Sequence, residues 1–257
     1  MLDAVGSGGI TVAHHRVGLV VPSSNTTMET EVPEILRRVS AVTGETFSFH
    51  SSRVPMRHVE PSQLSAMNLV APQAVEALVD ADVSVVAYAC LVAVMAEGPG
   101  KHRDLERQLS RAGDRPAPPF LSSAGALVDA VHHLGAKRVS IITPYMKPLT
   151  EMVVAYLEAE GVQVQDAISL EVDDNFAVGR LDPSQLPELA RRLDTSDADA
   201  VVLSACVQMP SLSAVPEAEE VTGLPVITAS IATSWRILRS LNLAAVAPNT
   251  GALFATG

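Results

Sequence analysis

One short apolar phrase occurs twice in this chain, and each copy ends in one of its two cysteines. The pattern VVxxAC covers residues 85–90 and again residues 201–206. An apolar, β-branched run of this length, preceded by acidic residues, is typical of a strand buried in a parallel sheet. In open α/β sheets, ligands bind just beyond the carboxyl ends of the strands. The repeat therefore predicts that Cys90 and Cys206 both face a ligand-binding region, one from each half of the chain.

Strand-like and helix-like patterns alternate along the rest of the chain. We predict strands near residues 16–22, 46–54, 83–90, 118–121, 138–144, 162–171, 199–206 and 224–229. We predict helices near residues 26–39, 61–80, 99–112, 122–135, 147–160, 183–193, 213–222 and 231–241. Such alternation is typical of βαβ crossovers, so the expected fold class is α/β, with parallel sheets flanked by helices.

The two halves of the chain also resemble each other. The segment at residues 16–22 matches the one at 138–144, which lies 122 positions later, and the two cysteines lie 116 positions apart. Nearly equal offsets predict two similar lobes related by a pseudo-twofold axis, with the active site in the cleft between them. We expect residues 1–118 with 231–257 in the first lobe and residues 119–230 in the second.

Two further segments complete this expected organisation. Residues 1–14 form a small, glycine-rich leader ahead of the first strand. The proline-rich stretch at residues 115–119 is the expected first crossing between the lobes. The last predicted helix then returns the chain to the first lobe.

Composition and charge exclude several classes of function. The 257 residues are 47% hydrophobic but only 4% aromatic, so the expected cores consist of Val, Ala, Leu and Ile. A formal charge of −11 without any basic cluster argues against a nucleic-acid partner. No apolar stretch approaches the roughly 20 residues that cross a bilayer. We see no signal peptide and no metal-ligand spacing at either cysteine, so we expect a cytoplasmic protein with free thiols, no membrane association and no metal.

Polar side chains follow the predicted strands on the same side as the thiols. Pro22, Ser23 and Asn25 lie in a loop that opens into a helix, where free N–H groups can bind a carboxylate. A helix cap alone would also explain this loop. Tyr145 occupies the equivalent point in the second half of the chain. Asn175 follows a later strand in an acidic turn, from which it could donate to an anion.

The cysteines are the strongest candidates for chemistry. A lone cysteine is often only a small buried hydrophobic residue. Two cysteines at matched positions, with no others in the chain, are hard to explain by packing alone. Thiolates near helix N-termini have depressed pKa values and act as nucleophiles or bases. We therefore predict that Cys90 and Cys206 are catalytic.

Several longer segments resemble a known family. They are VGLVVPSSNTTMETEVP (17–33), YACLVAVMAEGPG (88–100), SSAGALVDA (122–130), TPYMKPL (143–149) and SACVQMPS (204–211). From about residue 16 to 245, the chain resembles the maleate cis–trans isomerases of the aspartate/glutamate racemase superfamily. The resemblance implies that Cys90 is the nucleophile and Cys206 its partner thiol. It also implies the substrate-binding groups: the side chains of Asn25, Tyr145 and Asn175, and the backbone directly after each cysteine, at Leu91, Val92 and Val207.

The reaction implied by the resemblance is conversion of maleate to fumarate without a cofactor. The Cys90 thiolate would add to C2 of maleate and form a succinyl-like covalent adduct. Rotation about the C2–C3 single bond and loss of the thiolate would then release fumarate. The implied partner is a small dicarboxylate, and the family likeness implies a homodimer.

Other functions remain open at this point. A cofactor-independent racemase of a small amino or carboxylic acid would use the same two thiols, one to remove a proton and one to return it on the opposite face. A malonate-type decarboxylase is less well supported, because the decarboxylases of the family use one thiol. A non-catalytic carboxylate-binding protein would require neither thiol.

Overall fold

The computed structural model describes residues 13–110 and 118–255. Most of the expected leader and residues 115–117 of the expected crossing therefore lie outside the described residues. The strands are β1 (His14–Pro22), β2 (Thr46–Val54), β3 (Val85–Tyr88), β4 (Phe120–Ser122), β5 (Arg138–Thr143), β6 (Gln163–Ser169), β7 (Ala200–Ser204) and β8 (Val226–Thr228). The helices are α1 (Met28–Thr43), α2 (Pro61–Asp80), α3 (Leu91–Met95), α4 (Lys101–Leu109), α5 (Ser123–His133), α6 (Lys147–Ala159), α7 (Asn175–Val178), α8 (Leu186–Arg192), α9 (Val215–Thr222), α10 (Ala229–Ser240) and α11 (Ala252–Ala255).

Within the described residues, the strands form two four-stranded parallel sheets with the same topology. The first sheet has the order β2-β1-β3-β4, and the second has the order β6-β5-β7-β8. Each strand of the second sheet thus takes the position of the strand four earlier in the chain. The inner strands β3 and β7 are buried along their whole lengths, which favours near-continuous apolar runs. The predicted α/β fold with two similar lobes is confirmed.

The start of the helix after the fourth strand is also repeated in the two halves. Ser122 ends β4, and its Oγ accepts a hydrogen bond from the N–H of Gly125 at 3.0 Å. Thr228 ends β8, and its Oγ1 accepts from the N–H of Ile231 at 3.2 Å. Ser and Thr are preferred N-cap residues because they satisfy these otherwise unpaired donors. The two capped helices, α5 and α10, pack against each other, and α10 also contacts α1, β3 and β4.

The structure corrects two details of the predicted organisation. Strand β4 pairs with β3 in the first sheet, whereas the predicted division puts residues 119–230 in the second lobe. The two sheets therefore divide after Ser122, and the wider assignment of segments to lobes stays a prediction. In addition, α3, α7 and α11 have no counterpart among the predicted helices. Each has only four or five residues, too few to show a helical periodicity.

Candidate active site

Both thiols lie just beyond the carboxyl ends of inner strands. β3 ends at Tyr88 and β7 at Ser204, two residues before each cysteine, so the predicted strands at 83–90 and 199–206 are too long at this end. Cys90 and Cys206 are buried, with exposed fractions of 1% and 5%. They are close enough that a charge on the Cys206 sulfur raises the pKa of Cys90. The fold thus brings the two cysteines, one from each sheet, to a common site.

Burial governs the ionisation of both thiols. It raises the pKa of Cys90 to about 12, and a hydrogen bond from the N–H of Ala93 offsets only part of this effect. Burial also raises the pKa of Cys206, although the Tyr145 hydroxyl and the N–H groups of Gln208 and Met209 lower it. The prediction of depressed thiol pKa values is therefore wrong for this structure. Desolvation outweighs the few donors that face each sulfur.

Tyr145 reaches the site from the loop after β5. Its side chain is buried and hydrogen-bonds the Cys206 thiol. Burial, together with the two nearby thiols, raises the pKa of the phenol well above its ordinary value, so the hydroxyl is neutral at physiological pH. The carbonyl of Tyr145 accepts hydrogen bonds from Ser169 Oγ at 2.7 Å and from the N–H of Glu171 at 3.2 Å. These two bonds, from the end of β6 and the residues after it, hold the neutral Tyr145 hydroxyl beside Cys206.

Asn25 joins the site from the loop between β1 and α1. Its Nδ2 donates to the carbonyl of Val207 at 3.1 Å, and its Oδ1 accepts from the N–H of Met28 at 3.1 Å. Asn25 thus satisfies the first N–H of α1, although the N-cap residue itself, Thr27, makes no side-chain cap bond. The same amide also reaches across to the loop after β7. From β2, Arg53 donates to the carbonyls of Ser23 and Asn25, each at 3.0 Å. The buried Asn25 amide therefore ties the two halves of the chain together.

Asn175 also contacts the loop between β1 and α1. It is buried at the start of α7, and its Nδ2 donates to Ser24 Oγ at 2.5 Å. Ser23, in contrast, exchanges hydrogen bonds with the backbone of Met56, at 3.3 Å to the carbonyl and 3.1 Å from the N–H. The other predicted binding positions lie at or shortly after the ends of their strands: Pro22 ends β1, Leu91 and Val92 begin α3 after Cys90, and Val207 follows Cys206.

Two buried polar residues at this site were not singled out by the sequence. Glu31 of α1 accepts hydrogen bonds from the N–H groups of Ser211 and Leu212, at 2.6 and 2.8 Å, and from Ser230 Oγ at 2.5 Å. Gln208 bonds to both the β1–α1 loop and α7. The partners of Glu31 and Gln208 lie far away in sequence, so neither residue carries a local signature. The only available signal was the position of Gln208 two residues after Cys206.

The described residues contain no evident metal site. No group of three or more His, Cys, Asp or Glu among residues 13–110 and 118–255 is arranged to hold a metal ion. In the same part of the chain, every helix is too short or too polar to span a membrane.

Proteins of established identity match nearly the whole chain. A maleate isomerase from Geobacillus stearothermophilus is 51% identical over 243 residues, which are 93% of this chain and 97% of the relative. The maleate isomerase Iso from Pseudomonas putida S16, as a cysteine-to-alanine variant with maleate, is 46% identical with a TM-score of 0.93. That match covers 95% of this chain and 98% of the other. The chain belongs to the maleate isomerase family.

Two further matches, one to a solved structure and one to a family model, extend this comparison of the maleate isomerase family member. A cysteine-to-serine variant of the Nocardia farcinica maleate cis–trans isomerase, which holds a covalently bound succinylcysteine intermediate, has a TM-score of 0.91 at 47% identity. It covers 95% of this chain and 100% of its own. The family model described as arylmalonate decarboxylase matches residues 17–254. The resemblance expected from the sequence is therefore confirmed.

Proposed function

We propose that this protein isomerises maleate to fumarate, with Cys90 as the nucleophile. The observation that carries the proposal is that two buried thiols, which follow strands of different sheets, lie close enough to interact electrostatically, with the Tyr145 hydroxyl bonded to one of them. The relatives reported above, at 46–51% identity, are maleate isomerases. The succinylcysteine in the Nocardia farcinica enzyme is the kind of adduct that this chemistry requires.

The proposed reaction turns the C2=C3 double bond into a single bond for a short time. The Cys90 thiolate forms a bond to C2, and the electron pair of the double bond moves to C3. C3 takes a proton from the Cys206 thiol. After rotation about C2–C3 separates the two carboxylates, the Cys206 thiolate removes that proton, the double bond re-forms and the Cys90 thiolate leaves. Starting from the thiolate form of Cys90, which the last step regenerates, atoms and charge balance without any other reactant.

The surrounding groups would stabilise the charge that develops during addition. Tyr145 and Asn25 are buried, neutral donors, and such donors stabilise an anion strongly because they need little reorganisation. We assign Asn175 to the same role. The backbone at Leu91, Val92 and Val207 is proposed to bind the carboxylates, with Pro22 and Ser23 at the border of the site.

The direct test is proton NMR of maleate incubated with the purified protein and no added cofactor. We expect fumarate to accumulate, Cys90→Ala to abolish the conversion and Cys206→Ser to leave a small residual rate. The unfolding midpoint of each variant checks that it is folded. Unchanged turnover in Cys90→Ala would refute the assignment of the nucleophile.

Incubation in D2O, with maleate in one sample and small chiral amino or carboxylic acids in another, separates the racemase alternative. A two-thiol racemase must introduce deuterium at the α-position of its substrate, whereas addition and elimination need not exchange the vinyl hydrogens extensively. From the family likeness we also propose a homodimer that uses no cofactor, and from the two free thiols a location in the cytoplasm.

A further inference from the structure

Gln208 is a buried residue at the junction of three segments of the site. Its exposed fraction is 4%. The segments are the β1–α1 loop, the start of α7 and the loop after β7. A buried amide is costly unless its donors and acceptor are paired, so a residue with this many partners holds its neighbours in one arrangement.

The side-chain amide of Gln208 bonds to backbone groups on both sides of Asn25. Its Nε2 donates to the carbonyl of Ser24 at 3.0 Å, and its Oε1 accepts from the N–H of Thr26 at 3.2 Å. The second hydrogen of Nε2 goes to the carbonyl of Asn175 at 3.1 Å. Both donors and the acceptor of the amide are therefore used, and all three bonds fix residues next to, or within, the predicted binding groups.

The backbone of Gln208 belongs to the thiol loop itself. Its N–H donates to the Cys206 sulfur at 3.3 Å, and its carbonyl accepts from Thr27 Oγ1 at 2.7 Å. The preceding carbonyl, of Val207, accepts from the Asn25 amide. The main chain of Gln208 thus contacts the Cys206 thiol, while its side chain contacts the backbone next to Asn25 and the backbone of Asn175.

The close fit of Gly179 supports a fixed place for this amide. A Cβ atom at Gly179 would lie 2.6 Å from Gln208 Nε2 and 3.2 Å from its Cδ. The backbone of Gly179 is in the right-handed helical region, at φ −68° and ψ −7°, which any residue adopts. The local turn therefore does not require glycine here, whereas the Gln208 amide leaves no room for a side chain.

We propose that Gln208 is the positioning residue that sets Asn25 and Asn175 relative to the Cys206 thiol. The proposal rests on the isomerase function proposed above. The two thiol loops then differ in how they are anchored, because the residue equivalent to Gln208 in the loop after Cys90 is the apolar Val92. The loop after Cys206 is thus anchored to the opposite half of the chain, which suits the thiol that must meet C3 at a defined distance.

The N–H of Gln208 also gives this role a measurable signature. It lowers the pKa of Cys206, against the larger effect of burial. If the side chain no longer anchors the loop, the N–H moves from the sulfur and the thiolate loses a donor. The midpoint of Cys206 ionisation then moves to higher pH, an effect that a general loss of stability would not produce.

The test uses two variants and one matched control. Gln208→Met keeps the approximate length and removes all three side-chain bonds, while Gly179→Ala displaces the amide without changing it. Ser140→Ala is the control, because Ser140 is fully buried in β5 and its Oγ donates to the carbonyl of Asp194 at 2.6 Å, away from the thiols. The measurements are kcat/KM for maleate and the pH dependence of iodoacetamide labelling at each cysteine, read by mass spectrometry of peptides.

We expect Gln208→Met to lower kcat/KM roughly a hundredfold, as small misplacements at a reacting site do. Gly179→Ala should show a smaller loss in the same direction. In both variants the labelling midpoint of Cys206 should rise. That of Cys90 should not rise, because fewer Cys206 thiolates face it. Ser140→Ala should leave both midpoints and kcat/KM near the wild-type values.

Two results would overturn the assignment. One is a folded Gln208→Met protein with kcat/KM within threefold of wild type. The other is a loss of activity with an unmoved Cys206 midpoint, which would make Gln208 a structural residue only. Wild-type protein that does not isomerise maleate would instead refute the proposed function, and the labelling midpoints would still decide the role of Gln208.

Discussion

The Cys90 thiol illustrates how strongly surroundings control a single residue. Burial raises its pKa to about 12, so only a small fraction is thiolate at neutral pH. Because the thiolate is the reactive form, labelling of Cys90 by iodoacetamide should accelerate roughly tenfold for each pH unit between 7 and 9. Mass spectrometry of the modified peptide measures this rate. A plateau near pH 8.5, the value of an ordinary thiol, would show that burial does not control Cys90.

Cys206→Ser provides the matched control for this measurement. The charge on Cys206 raises the pKa of Cys90, so its removal should shift the Cys90 labelling profile to lower pH. Since serine is close in size to cysteine, the packing around Cys90 stays nearly the same. A shift in the opposite direction would contradict the coupling between the two sulfurs.

At the residue scale, the sequence identified rare residues and missed common ones. Cys90, Cys206 and Tyr145 were predictable because cysteine and tyrosine are scarce here and each follows a recognisable strand. Gln208 and Glu31 were not, because most of their partners lie some 180 to 200 positions away and only the fold brings them together. The raised pKa values of the thiols could not be predicted either, since desolvation depends on which residues pack around each sulfur in the folded protein.

At the scale of elements, the Glu31 side chain connects α1 to the loop after β7 by hydrogen bonds. Burial raises the pKa of this carboxyl from 4.5, although four hydrogen bonds lower it in part. Above pH 4.5 the unfolded chain releases the proton more easily than the folded one, so this group reduces the free energy of unfolding as the pH rises. Glu31→Gln should therefore stabilise the protein at pH 7, by an amount that grows with pH from 4.5. Urea unfolding at several pH values measures it.

Glu31→Ala is the contrasting variant. It leaves the N–H groups of Ser211 and Leu212 without their acceptor, at a cost of roughly 1–3 kcal/mol for each buried unsatisfied group. The Glu31→Gln amide, in contrast, keeps an oxygen for both N–H groups, and the facing hydroxyls can turn to accept. Equal destabilisation by the two substitutions would contradict this account.

Elements differ in how far the sequence defines them. All eight predicted strands exist. The inner strands β3 and β7 are fully buried, which favours the apolar runs by which they were recognised. The ends of β3 and β7 were misplaced, since an apolar run continues past the last strand hydrogen bond into the thiol loop. The sheet that β4 joins was also misjudged. A three-residue strand carries no information about its neighbour, and pairing with β3 depends on long-range packing.

The whole molecule is a repeated sheet topology whose two halves are fastened by polar side chains at the site. Asn25, Glu31 and Gln208 each join segments from different halves of the chain. The thiols between them are almost fully buried. We therefore expect that some of these contacts open when substrate reaches the sulfurs, and that a bound dicarboxylate stabilises the contacts of both halves together.

This expectation can be measured by amide hydrogen exchange in Cys90→Ala, which we expect to bind maleate without converting it. At maleate concentrations 100 times Kd, states that release the ligand become about 2.7 kcal/mol less accessible, or roughly a hundredfold rarer. Exchange should slow in residues 22–28 of the first half and in residues 206–212 of the second. Residues 40–46, at the far ends of α1 and β2, serve as the internal control. Slowing confined to one of the two loops would mean that the ligand binds one half only, and the site could not then be built from both thiols.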